Sequence, residues 1–261
     1  MQGIFIEDIG KGTPLVLVHG FLGSTDMWRP QIKYFQDKYR IFAPALPGFG
    51  KSNNLKSTDS IENMANTILE VLDSKHIDKF YLLGHSMGGM IVQEMAKIAG
   101  EKILKLICYG TGPIGNIPGR FETIDETRKE LKINGLSNTA YRIAKTWFID
   151  QDKAKYFYLC EDAGKQASLE AADNGLIAMK NWNGIDNLKK IKNETLIIWG
   201  NKDKAYNYDQ VNTLRKNILN SKLKVMDGCS HNVHLEKPEE FNDCVNNFLK
   251  KTDWYWLKSF K

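Results

Sequence analysis

The 261 residues are 42% hydrophobic and 26% charged, with a formal net charge of +5. That balance suits a chain that buries a sizeable core, as one large α/β domain or a domain carrying an insertion. Lysines and acidic residues are interspersed instead of forming a basic stripe, which excludes nucleic acid as the expected partner. No apolar run approaches the roughly 18 residues needed to cross a bilayer, and MQGIFIEDIG lacks the regions of a signal peptide, so a cytoplasmic location without integral membrane association is expected. Cys108, Cys160, Cys229 and Cys244 form no C-x-x-C pair, which argues for reduced thiols and against a disulfide framework or a zinc site.

Along the chain, IFIEDI (4–9) alternates as a half-exposed strand does, and PLVLVHG (14–20) reads as a strand covered on both faces. DMWRPQIKYFQDK (26–38) carries apolar residues at helical spacing, with Pro30 confined to the first turn. A strand at 39–45, the turn-rich LPGFGKS (46–52) and a helix over about 58–75 follow. The alternation continues with a strand at 79–85, a helix at 90–99 and a strand at 103–110, which predicts a largely parallel sheet with helices on both faces. From 113 to 188 the sequence is helical, polar and punctuated by glycines. The strand-helix rhythm then returns with TLIIWG (195–200), a helix near 209–219, a strand at 222–227 and a helix at 238–251. The economical reading is an α/β core over 1–112 and 189–261, interrupted by a helical lid over 113–188. The aromatic tail WYWLKSF (254–260) packs on the last helix, or serves a homodimer contact or a shallow membrane-surface anchor.

Chemistry concentrates at LLGHSMGGM (82–90). G-x-S-x-G directly after a strand and opening a helix is a nucleophile-elbow pattern, in which Gly84 and Gly88 let strand and helix approach while Ser86 projects above the sheet edge. The N-H of Met87 then points to the space beside the hydroxyl. A serine needs a base. Among the five histidines, His76 is expected to be exposed, His85 to point away from Ser86, and His19 to be structural. His231 lies on a loop after the 222–227 strand, where catalytic groups gather in open α/β folds, and His234 is nearer the final helix. A metal held by this pair with Glu236 or Asp227 has no second cluster to support it. Asp203, just after TLIIWG, is placed to orient His231, which gives the chain order Ser86, Asp203, His231. In VHGFLGS (18–24), the Phe21 N-H is placed to join that of Met87 as a second oxyanion donor.

These stretches, together with ALPGFGKS, LIIWGNKD and GCSHNVHLEKPEEF, resemble the α/β-hydrolase superfamily over nearly everything but the insertion and the tail. GHSMGGMIVQEMA is similar to the serine-elbow helix of small-molecule esterases and enol-lactonases such as 3-oxoadipate enol-lactonase. The resemblance implies the fold, acyl transfer through a serine, no cofactor and no metal, and an insertion after the family's sixth strand. Relatives that act as haloalkane dehalogenases or epoxide hydrolases use aspartate where this chain has Ser86. The chain departs from the family in two places: Ala45 replaces a common aspartate, and the first family strand is expected to be missing or abbreviated.

The expected activity is hydrolysis of a small carboxylic ester or lactone through an acyl-enzyme. Two alternatives stand beside it: carbon-carbon hydrolase or lyase chemistry, as in the menaquinone-pathway synthase of this fold, and a non-catalytic ligand-binding module. Trp147 and Trp182 are candidates to line a substrate pocket, and Arg120, Arg128 and Arg142 candidates to hold a substrate carboxylate.

Overall fold

The computed structural model describes residues 3–250; the aromatic tail and the last residue of the expected final helix lie outside the described residues. In chain order come β1 (Ile6–Ile9), β2 (Pro14–Val18), α1 (Arg29–Phe35), β3 (Arg40–Pro44), α2 (Ile61–Ser74), β4 (Phe80–His85), α3 (Met87–Ala99) and β5 (Ile103–Tyr109). Three helices follow without a strand: α4 (Ile124–Thr146), α5 (Phe157–Gln166) and α6 (Leu169–Asn181). The chain closes with β6 (Thr195–Gly200), α7 (Tyr208–Asn217), β7 (Ser221–Met226), the short α8 (Val233–Glu236) and α9 (Pro238–Lys250).

The seven strands run β1-β3-β2-β4-β5-β6-β7. All neighbours are parallel except β1, which pairs antiparallel with β3 as an edge. The central strands are apolar on both faces because each face carries helices. Leu15, Leu17, Leu83 and Ile107 pack on one side with Trp28, Phe35 and Phe241, whereas Val16, Leu82 and Leu106 pack on the other with Met64, Ile68 and Ile91.

Local chemistry sets the boundaries. Ser60 Oγ accepts the Asn63 N-H, so α2 begins at Ile61, three residues inside the expected helix. The 26–38 stretch opens as a 3-10 turn (Thr25–Trp28) and becomes α-helical with Pro30 in its first turn, where no N-H is missed. In the interposed segment the glycines do more than punctuate. Gly135 breaks α4 at φ 73°, but Gly164 and Gly175 sit inside helices, and a Cβ on Gly164 would lie 2.6 Å from Cβ of Ala140. These residues are glycine because helices touch there.

Backbone segments also pass very close to one another at the start of α3. A Cβ on Gly88 would lie 2.3 Å from the Val18 carbonyl oxygen, and one on Gly84 would lie 2.2 Å from that of Gly88. Backbone cannot yield to either. Gly88→Ala is therefore expected to lower the unfolding free energy by about 3 kcal/mol, read as a reduced urea midpoint. Gly100→Ala, at φ −59° with its nearest neighbour 3.4 Å away, should shift that midpoint little.

Candidate active site

Loops that leave the C-terminal ends of β2, β4, β6 and β7 meet at one rim, as expected for an open α/β sheet. Ser86 follows β4 directly with φ 57° and ψ −117°, a conformation that L-residues hold only when their surroundings enforce it. Three restraints do so here. The Ser86 N-H donates to Tyr109 O at 2.9 Å, its own carbonyl accepts the N-H groups of Gly89 and Met90, and Gly20 backs onto it so closely that a Cβ there would lie 3.0 Å from Ser86 Cβ.

His231 Nδ1 lies 2.8 Å from Asp203 Oδ2, with the two side chains 2% and 0% exposed. The other Asp203 oxygen accepts the N-H groups of Ala205 at 2.7 Å and Tyr206 at 3.2 Å, so the carboxylate is anchored before it meets the imidazole. The His231 carbonyl is fixed as well: Tyr109 Oη donates to it at 2.8 Å, and His85 Nε2 faces it at 3.3 Å. The imidazole lies over the Tyr109–Gly110 corner, since a Cβ on Gly110 would sit 3.4 Å from both its Cε1 and Nδ1. Tyr109 thus holds the Ser86 amide through its carbonyl and the His231 carbonyl through its hydroxyl, which brings serine and imidazole to the same corner.

Phe21 and Met87 are brought together too. Gly175 of α6 sits above both, with its Cβ position 3.2 Å from Phe21 Cδ2 and 3.6 Å from Met87 Sδ. Met87 is the first residue of α3, where N-H groups have no intrahelical acceptor, and Leu22 takes φ 53° in the loop beside Phe21.

The remaining histidines are buried and neutral, apart from the exposed His76. His19 Nε2 accepts the Leu46 N-H at 3.1 Å, which leaves Nδ1 as the donor to Gly20 O at 2.8 Å; burial pulls its pKa down to about 4. His234 meets Tyr109 Oη through Nδ1 at 3.0 Å, and burial followed by the charge of His231 lowers it to about 3. His85 stacks on Tyr109 at 4.5 Å and is held well below its ordinary value, chiefly by burial. Of the two C-terminal histidines, one meets a carboxylate and the other a phenol.

The pocket candidates separate. Trp147 approaches His231, ring to ring at 6.0 Å. Trp182 instead donates its indole N-H to Glu94 on α3 at 2.9 Å. Arg128 forms two hydrogen bonds with Asp173, and Arg142 forms two with Glu122, both within the interposed segment. Arg120 has a buried Nε without a hydrogen-bond partner. Sequence reasoning missed Tyr206. Its ring stacks on His231 at 5.8 Å and 14°, and burial raises its pKa to about 12. A tyrosine three positions after Asp203 was the available signal.

The interposed segment is strapped to the His231 loop. Asn232 N-H donates to Trp147 O at 3.0 Å, Ser230 Oγ to Thr146 O at 3.2 Å, and Asn232 Nδ2 to Cys160 Sγ at 3.2 Å. Glu236 accepts Ile149 N-H on one oxygen and Ser230 N-H on the other, both at 2.7 Å. A groove of about 660 Å³ between residues 149–156 and 235–240 borders this strap but includes neither Ser86 nor His231.

A family model described as the alpha/beta hydrolase fold matches residues 13–238, and the chain belongs to that family. It is an enzyme of the α/β-hydrolase class. The chain is 28% identical over 257 residues to a pimeloyl-[acyl-carrier protein] methyl ester esterase of Legionella pneumophila, covering 95% of this chain and 100% of that protein. Epoxide hydrolase 1 of Caenorhabditis elegans is 29% identical over 279 residues, covering 95% of this chain and 67% of that protein. Among solved structures, an esterase from Exiguobacterium antarcticum superposes with a TM-score of 0.88 at 26% identity, over 95% of this chain and 96% of that one.

The neutral histidines carry a pH signature. In the unfolded chain each takes up a proton near pH 6.5, whereas folded His19 and His234 refuse one until about 4 and about 3. The unfolded state therefore binds more protons below pH 6.5, and stability falls with pH, on the order of 1 kcal/mol per such histidine across the next pH unit. Urea unfolding at pH 7.5 and 5.5 should show this loss. His19→Gln, which keeps a donor and an acceptor, should make the loss smaller.

Proposed function

We propose that this protein hydrolyses small carboxylic esters or lactones through an acyl-enzyme on Ser86. The observation that carries the reading is the buried 2.8 Å contact between His231 and Asp203, on the same rim as a serine held at φ 57°. Esterases among the relatives and solved structures support the class of bond.

His231 Nε2 takes the proton of Ser86 as the hydroxyl attacks the carbonyl, and Asp203 fixes the tautomer that leaves Nε2 free while stabilising the imidazolium. The N-H groups of Met87 and Phe21 meet the oxyanion, with a worth of about 2.7 to 4 kcal/mol each. His231 then protonates the leaving group and activates the water that releases the acid. The helices between β5 and β6 act as a lid. They cover Phe21 and Met87 through Gly175, and Ser86 is only 9% exposed beneath them.

Turnover of short p-nitrophenyl esters tests the reading. Ser86→Ala should lower kcat by at least about a thousandfold with an unchanged unfolding midpoint, and a fluorophosphonate should label wild-type Ser86. Asp203→Asn should lower kcat by about 10³- to 10⁴-fold, because the amide no longer selects the tautomer. A protein that resists the probe and turns over no ester, yet cleaves a vinylogous diketone, would overturn the ester reading in favour of carbon-carbon chemistry.

A further inference from the structure

Arg120 differs from the other arginines of the lid in what surrounds it. Phe121 N-H donates to Lys204 O at 3.4 Å, which lays this stretch of chain against the loop running from Asp203 to Tyr206. The side chain is half-buried with its Nε enclosed; Tyr206, Glu122 and Asp203 oppose the lowering that burial imposes on its pKa, and an arginine keeps its charge in any case. Both neighbouring carboxylates are already committed. Asp203 accepts from His231, Ala205 and Tyr206, and Glu122 accepts two hydrogen bonds from Arg142 and one from Thr127. The Arg120 Nε-H is left buried with no acceptor.

A buried donor on a charged group without a partner costs free energy unless something arrives to take the hydrogen bond. Nearby stands the Tyr206 phenol, which burial keeps a neutral donor at physiological pH and whose ring stacks on His231 at 5.8 Å. Two donors, one of them cationic, therefore stand against the loop that carries Asp203, beside the ring of His231. The acceptor that fits them is a carboxylate, planar and able to receive both bonds.

We propose that Arg120 and the Tyr206 hydroxyl form a receptor for a carboxylate on the substrate, so that the preferred ester or lactone bears that anion a few bonds from the scissile carbonyl. This rests on the ester reading above and narrows it to half-esters of short dicarboxylic acids and acid-bearing lactones.

The experiment compares kcat/KM of the full-length protein for monomethyl succinate and monomethyl glutarate with that for their dimethyl esters. Wild type, Arg120→Gln, Arg120→Lys and Tyr206→Phe are measured alongside, and succinate is tried as an inhibitor of p-nitrophenyl acetate turnover. The wild type should favour each monoanion by at least about tenfold, and Arg120→Gln should erode that preference by about 10- to 100-fold, the size of one charge-assisted hydrogen bond. Arg120→Lys should retain part of the preference, Tyr206→Phe should weaken it, and succinate should compete in the wild type but not in Arg120→Gln. If Arg120→Gln does not fold, the wild-type preference, succinate competition and Arg120→Lys still decide. Ester turnover with no preference for the anion and no inhibition by succinate would overturn the receptor alone. Failure to turn over any ester, with Ser86 unlabelled, would overturn the ester reading beneath it.

Discussion

The site depends on how closely three stretches of backbone can approach. At the end of β4 the chain must stop being a strand and start being α3 within one residue, directly against the loop that leaves β2. Gly88 against the Val18 and His19 carbonyls, Gly84 against Gly88, and Gly20 against Ser86 are the places where this happens, each with no room for a Cβ. The strain of φ 57° at Ser86 is the consequence of that geometry, and the hydrogen bond from its N-H to Tyr109 O resists relaxation. Without these contacts the serine would be an ordinary helix N-cap. With them its hydroxyl stands clear of the sheet, at the positive end of a helix.

Around that turn the protein places four imidazoles in its interior and gives them different chemistry through their partners. His19 is fixed between two backbone groups, His234 meets a phenol, and His85 stacks on that same phenol ring. Burial keeps all three uncharged. His231 alone among the described histidines has a carboxylate partner, itself anchored by two backbone N-H groups. Tyr109 organises the set: its carbonyl holds the serine, its ring supports His85, and its hydroxyl joins the backbone of His231 to the ring of His234. The interior is polar here without being loose.

Much of this was legible in sequence because it is local. Strand period, the G-x-S-x-G turn and the positions of Asp203 and His231 just past strand ends are properties of short windows. The sheet is mostly parallel with helices on both faces, as expected, whereas the antiparallel pairing of β1 at its edge was not read from the sequence. What sequence could not convey was the choice among distant partners. Nothing in the neighbourhood of Trp182 announces Glu94, and nothing near Arg128 or Arg142 announces Asp173 or Glu122. Composition alone left three equivalent arginines, and packing separates them into two ion pairs and one unsatisfied donor. Tyr206 escaped notice for the same reason, since a tyrosine in a loop has no periodicity to betray that its ring lies flat on an imidazole.

The strap joining residues 146–149 and Cys160 to the loop bearing His231 also has an evolutionary and engineering consequence. Thr146, Trp147 and Ile149 lie within four residues of one stretch of chain docked onto Ser230, Asn232 and Glu236 in fixed register. An added or deleted residue between them would displace His231, even though the change was made among the interposed helices. Chimeras that borrow the interposed helices from a relative must therefore exchange the 230–236 segment in the same graft, because the two are docked as one unit.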